Sequence, residues 1–410
     1  LNVGNSSPTI STTTFSENTA SYGGGMFNVS SSPTLTNTTF SENTASYGGG
    51  MYNSSSDPTI TTTTFTENTA TGNGGGIYNY KSSPTITTAI FSKNTASYGG
   101  GMLNNSSSSP TITTTTFTEN TATYSGGGIY NYSSSSPIIT NTTFSENTAT
   151  TYGGGMYNYS SSPTIANSIF WGNEKGTSAT SAGADIENAS SSTPVVTYSS
   201  LQSYTGGAGC ITGDPSFVNT ADLDGADNIW MTADDGLRLF VGSPAIGAGI
   251  NDSIPIGITT DIVGSARIQD GTVNMGAYED VVCSAITTFY VDSTVASSGD
   301  GNSWSTAFKT LSEAIDLVCT TTDSILVAEG TYIPTSYPTG VVSTDDRDKT
   351  FYLNQDIVLL GGYPTGGGTR DVATNLTILS GNIGGAATDS SYHVFITVGL
   401  TSAAVIDGFT

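Results

Sequence analysis

The stretch SPTLTNTTFSENTASYGGGMYN, residues 32–53, recurs with few changes through the first two hundred positions. Pro8, Pro33, Pro58, Pro84, Pro110, Pro137 and Pro163 mark seven copies at a period of 25 to 27 residues. A unit this short cannot bury its own apolar side chains, so copies must stack on one another. Within it, runs rich in Thr, Ile, Phe and Tyr alternate with Gly, Ser, Asn and Pro, the pattern of brief strands joined by tight turns. The expected strands are Thr9 to Phe15 and Gly25 to Asn28, with the Ser-rich stretch before each Pro as a turn or a short third strand. Three strands in one period predict an all-β fold, a right-handed parallel β-helix whose coils rise by roughly the 4.8 Å between strands.

Residues one period apart then stand above one another. Phe15, Phe40, Phe65, Phe91, Phe117, Phe144 and Phe170 predict an interior aromatic stack. Ile10, Leu35, Ile60, Ile86 and Ile112, with Met26, Met51, Ile77, Met102, Ile129 and Met156, predict the other interior faces. Two asparagine columns, one from Asn18 to Asn173 and one from Asn28 to Asn158, fit turn residues that bond their own copies. The triple glycines such as Gly48 to Gly50 precede neither a helix nor a Lys, so they are sharp corners and not phosphate loops.

Nine basic residues against 33 acidic ones leave a formal charge of −24, which argues against nucleic acid and anionic membrane surfaces as partners. No apolar run is long enough to span a membrane. Charge of this sign suits a protein kept soluble outside the cell, or one that binds divalent cations. Cys210, Cys283 and Cys319 lack metal-ligand spacing, and His393 is the single histidine, so zinc is not indicated. A Cys283–Cys319 disulfide with Cys210 free, or three thiols buried as small hydrophobes, would both account for the cysteines. A repeat is already under way at residue 1, which is not Met, and no secretory leader opens the chain; the pattern predicts a longer polypeptide.

The repeat decays after Phe170. Residues 1–205 are expected to form the regular coils, 206–280 a terminal cap over the open end of the core, and 281–410 the start of a second β-helix unit. In the last, the apolar spacing from Ser305 to Val318 predicts a capping helix over 303–318, with Ser303 or Ser305 as N-cap.

FSEN, FTEN and FSKN paired with GGGMYN and GGGIYN resemble the F-x-x-N and G-G-x-[ILV] repeats of polymorphic outer-membrane proteins, which are pectin-lyase-like right-handed β-helices. The later segments are similar to large Bacteroidota surface proteins of that superfamily. There, a motif like Tyr290 to Ile315 opens a unit, and motifs like those within Ser243 to Glu279 close it. The resemblance implies tandem β-helix units in a secreted or surface-attached adhesin or filament protein.

Some β-helices are polysaccharide lyases or hydrolases, which need a base or clustered carboxylates beside a cation. The repeats offer one carboxylate per coil, at Glu17, Glu42, Glu67, Glu119 and Glu146, with Lys93 in the column; this is a solvated stripe. Asp345, Asp346, Arg347, Asp348 and His393 are the remaining catalytic candidates, and sequence does not say whether they meet. Asp222, Asp224, Asp227 and Asn228 place hard oxygen atoms around a Gly turn, and Asp234 and Asp235 could complete a Ca2+ shell; an Asx-rich turn explains them equally. The arrays Thr61 to Thr64 and Thr113 to Thr116 raise an ice-binding face, although Thr also favours strands by being β-branched.

These observations predict a non-enzymatic rod in a surface adhesin or fibre, self-associating or contacting a glycan or a cell-surface ligand. A polysaccharide-active enzyme is the alternative, and an ice-binding solenoid a more distant one.

Overall fold

The computed structural model describes residues 1–269, 271–279, 281–282, 287–315, 317–318, 323–338, 345–353, 356–384 and 390–410. Cys283 and Cys319 lie outside the described residues, and Cys210 is a free, half-buried thiol. The chain divides into two compact units, one of residues 1–239 with 243–281 and one of residues 240–242 with 282–410.

In the first unit every repeat makes one coil of a parallel β-solenoid. Strands such as Met51–Ser54 and Thr59–Thr66 pair in register with their copies one coil away, and Thr69–Asn73 pairs with Thr44–Tyr47 through a register shift, building three parallel sheets. The third sheet comes from the T-A-[ST]-Y run, as in Thr44–Tyr47 and Thr95–Tyr98, and not from the Ser-rich stretch. That stretch is a turn, in which each interior Ser accepts from the backbone of the coil before it, as Ser56 Oγ does from Ser31 N at 3.0 Å.

In most coils four residues take left-handed backbone angles and so make the corners; the fourth and fifth coils add a second serine, Ser107 and Ser134. In the second coil the four are Asn37 (φ 51°), Glu42 (57°), Gly48 (63°) and Ser55 (51°). A left-handed L-residue costs about 1–2 kcal/mol. The corner amides still join the inter-coil ladder, with Glu42 N donating to Thr66 O at 3.1 Å and Ser55 N to Tyr80 O at 3.0 Å. The corner at Asn37, Thr62, Thr88, Thr114 and Asn141 bends each long strand in its middle. Past it the next Thr turns inward, and Thr63 Oγ1 donates to Thr61 O at 2.9 Å.

The interior repeats as foreseen. Phe15 to Phe170 form a continuous stack with centroids 4.3–4.9 Å apart and rings within 9° of parallel. Both asparagine columns are hydrogen-bonded ladders; Asn53 Nδ2 donates to Asn79 Oδ1 at 2.9 Å, and Asn68 Nδ2 to Asn94 Oδ1 at 3.0 Å. The second glycine of the first five triplets lies against its copy in the next coil; a Cβ on Gly75 would lie 2.4 Å from Gly100 O.

Residues 206–279 differ from the expected cap. Leu201, Tyr204 and Cys210 do pack on the last coil's interior. Beyond them the chain turns back and runs along the outer side of the Thr-rich sheet. Two positions where the repeat departs from Thr receive it: Ile90 packs with Leu223, Leu237, Ile262, Ala277 and Tyr278, and Ile169 packs with Leu239, Ala245 and Met275. Polar contacts reinforce this, Ala277 N donating to Thr143 Oγ1 at 3.1 Å and Asn167 Nδ2 to Ile250 O at 3.0 Å.

The second unit contains a four-stranded parallel sheet of Thr288–Val291, Ser324–Ala328, Val358–Tyr363 and Val405–Asp407 beside two short parallel pairs. The predicted helix over 303–318 is corrected to a 3-10 turn at Trp304–Thr306 and a helix at Leu311–Ile315. Between them Phe308 pairs with the first strand, its N donating to Tyr290 O at 2.9 Å, which breaks the helix. Thr310 caps instead of Ser303 or Ser305. Its hydroxyl and amide both donate to Glu313 Oε2, at 2.7 and 2.9 Å, in a capping-box arrangement. Leu311, Ala314 and Ile315 pack with Phe289, Val291, Ile325 and Phe351.

Candidate functional site

The interior of the coils is filled by these ladders, which leaves the outward side chains to meet the surroundings. At the glycine corner these are tyrosines. Tyr22 stacks on Tyr47 at 5.4 Å, Tyr98 on Tyr124 at 5.3 Å, and Tyr130 on Tyr157 at 5.2 Å; Tyr52 and Tyr78 meet edge to face at 5.1 Å. Coil repetition thereby turns one tyrosine into a stripe, interrupted at Asn73 and Leu103. Tyr124 is 53% and Tyr152 45% exposed. Burial and the neighbouring phenols push Tyr52 up to about 12, so its ring stays neutral.

The carboxylate column is uneven along the coils. Lys93 pairs with Glu119 at 3.6 Å, and burial together with Glu119 and Glu174 raises Glu146.

On the Thr-rich sheet the coils differ. Thr113, Thr114 and Thr116 are buried on the side of the returning segment, and Thr63 and Thr115 point inward because of the corner before them. The flat Thr array needed for ice binding is therefore absent at Thr113 to Thr116 and interrupted at Thr61 to Thr64. Over the second to fourth coils the returning segment stands off and leaves a cleft of about 520 Å3. Its floor carries Thr39, Thr64 and Thr66, with Glu67 and Lys93 at one side and Asp224, Asn228, Trp230 and Met231 opposite.

The acidic loop supplies that opposite wall. Asp227 Oδ1 accepts from Ile229 N at 2.8 Å, an Asx turn. Asp234 Oδ2 accepts from Asp227 N at 3.2 Å, and Thr232 donates to Asp234 Oδ1 at 2.7 Å, holding that carboxyl below its ordinary range. Asp235 is fully buried and accepts from Tyr278 Oη at 2.7 Å and Met231 N at 2.9 Å; burial pushes it up to about 6. Asp222 and Asp224 flank Leu223, whose side chain is buried against Ile90. Among the described residues no three His, Cys, Asp or Glu side chains gather where they could hold a metal ion. Asp227, Asp234 and Asp235 thus close turns within the loop.

Deeper in the same segment, Arg267 and Glu279 form a buried ion pair, and Arg267 Nη1 donates to Ala277 O at 2.9 Å. Burial raises Glu279, and the guanidinium partly offsets it. Sequence reading missed this lock, because nothing in the spacing of Arg267 and Glu279 says that both are enclosed.

In the second unit, Arg347, Asp348 and His393 line one shallow cleft of about 210 Å3. Arg347 lies over the Tyr392 ring at 4.2 Å and donates from Nε to Ser390 O at 3.1 Å. Asp346 faces Lys349 at 2.7 Å instead.

The stacked coils with their asparagine and phenylalanine ladders define a parallel β-helix protein. The family model for NosD, periplasmic copper-binding protein, matches residues 3–207, and the chain belongs to that family. No curated protein and no solved structure matches it. Copper prefers thiolate, thioether and imidazole ligands. Residues 3–207 contain neither Cys nor His, and their methionines Met26, Met51, Met102 and Met156 are buried in an interior column interrupted by Ile77 and Ile129. The matched coils therefore do not offer a copper donor set.

Proposed function

We propose that this chain is a non-enzymatic, structural and adhesive part of a protein of the bacterial cell envelope or exterior. Its coils act as a rigid rod that presents the tyrosine stripe to a glycan, a neighbouring cell or a copy of itself. The stripe is the observation that carries this reading: exposed aromatic patches mark contact surfaces, and tyrosine provides broad area with few rotamers to freeze. The likeness of the repeats to polymorphic outer-membrane proteins and to large Bacteroidota surface proteins supports the surface role, and the periplasmic description of the family supports an envelope location.

The alternative, a polysaccharide-active enzyme, requires converging carboxylates and a cation. Within the described coils the ion pairs are Lys93–Glu119 and Lys175–Glu187, each joining neighbouring surface side chains.

Incubation with polygalacturonate or alginate in the presence of calcium tests both. No unsaturated or reducing ends are expected. Fluorescently labelled protein is expected to stay on bacterial cells or immobilised surface glycan, and a Tyr98→Ala, Tyr124→Ala, Tyr152→Ala variant to be retained at least several-fold less. Cleavage of either polymer, or unchanged retention of the variant, overturns the reading.

A further inference from the structure

We infer that the cleft between the Thr-rich sheet of coils two to four and the Trp230 loop is a binding site for a neutral oligosaccharide. The inference rests on the reading of the rod as an adhesive module, and it assigns that module a specific pocket separate from the tyrosine stripe.

Shape and wall chemistry agree. The floor is a hydroxyl ladder: Thr39 and Thr64 are register partners in adjacent strands, so their side chains repeat at the coil spacing. Ser92 Oγ donates to Thr66 Oγ1 at 2.9 Å beside them. Hydroxyl groups both donate and accept, as sugar hydroxyls do. The facing wall offers the indole of Trp230, an apolar plate for the C–H face of a pyranose, flanked by Asp224. Such pairing of one aromatic plate with several fixed polar groups suits a ligand that is apolar on its faces and polar at its rim.

The ledge is preorganised. Met231, next to the indole, has φ 68°, a left-handed angle rare for a long unbranched side chain. It is held there by its N–H bond to the buried Asp235 carboxylate, which Tyr278 Oη also binds. The sheet beneath is fixed by the coil ladders. A wall and floor set independently of the ligand reduce the ordering cost of binding.

Charge decides which sugars. Glu67 and Asp224 outnumber Lys93, which also pairs with Glu119, and the chain as a whole is strongly acidic. Uronate polymers and phosphorylated ligands are repelled, while neutral hexose or pentose chains are not.

The test uses the full chain and calorimetric titration with cellohexaose, mannohexaose, laminarihexaose and xylohexaose, with hexagalacturonate as the charged control. At least one neutral hexasaccharide is expected to bind at one per chain, and hexagalacturonate at least ten-fold more weakly. Trp230→Ala should weaken binding ten-fold or more, Trp230→Phe less than three-fold, and Thr64→Val about three-fold, with circular dichroism confirming intact coils. No binding by any neutral sugar, or tighter binding of hexagalacturonate, overturns the inference. Binding that survives Trp230→Ala but is lost in the tyrosine-stripe variant also overturns it, while leaving the adhesive rod standing. Failure of the rod itself reads out separately, as polymer cleavage or as cell retention indifferent to that stripe.

Discussion

Tyr278 Oη donates a 2.7 Å hydrogen bond to Asp235 Oδ2, and both side chains are buried beneath the segment that returns along the Thr-rich sheet. The bond joins the acidic loop to the end of that segment. It also places a carboxylate where solvent cannot help it ionise, which is why Asp235 is pushed up to about 6.

A folded-state value above the unfolded one means that the folded form binds the proton more tightly. The stability contributed by Asp235 is complete below about pH 4 and is lost as pH rises through about 6, by up to about 3 kcal/mol. Asp185, buried beside Ser203, is shifted the same way to about 6. Asp235→Asn keeps an acceptor for Tyr278 and Met231 and can donate to Thr232. Thermal unfolding should show the variant more stable than the parent at pH 8 and equal to it at pH 4; equal pH profiles would refute the shift.

Asn120 accepts from Asn94 N and Nδ2 at 3.1 and 2.9 Å, and donates to Phe91 O and Asn147 Oδ1 at 2.8 and 2.9 Å. Asn120→Ala orphans several enclosed groups at once and should destabilise the first unit by about 3–5 kcal/mol. Urea unfolding measures this, and a loss below about 1 kcal/mol would show the ladder to be dispensable.

Glycine matters unequally along the chain. A Cβ on Gly75 meets Gly100 O at 2.4 Å and Thr95 O at 2.7 Å, backbone atoms that cannot step aside, whereas Gly176 (φ 69°) has nothing within 4 Å. Gly75→Ala should cost about 3 kcal/mol or more through overpacking, and Gly176→Ala about 1 kcal/mol through backbone strain alone. Melting temperatures of the two variants rank them directly.

Ile90 faces outward where most neighbouring coils carry Thr, and it is fully covered by Leu223, Leu237, Ile262 and Tyr278. Ile90→Thr restores the repeat but buries a hydroxyl in an apolar cluster, a loss of about 2–3 kcal/mol. Hydrogen exchange and limited proteolysis should then open residues 215–279 while the coil ladders stay protected. Unchanged protection of that segment would mean that its docking does not depend on this contact.

The periodic part of the fold was legible because each coil sets the environment of the next. A Phe at a fixed offset must meet another Phe, and an Asn another Asn. The helix near 311 was legible in kind but not in extent, since pairing of Phe308 with the first strand of its unit outweighed the apolar spacing from Ser305 onward. The docking of residues 215–279 was visible only as two outward isoleucines, Ile90 and Ile169, among threonines. Nothing local says what covers them.

Sequence alone therefore determined the coil, its stacking and its interior, because those depend on residues one period apart. Tertiary structure decided the surface: which threonines are covered, which acidic residues close turns, and that Trp230 faces the hydroxyl ladder of coils two to four. Those contacts join residues far apart in the chain, and no period relates Trp230 to Thr64 or Tyr278 to Asp235.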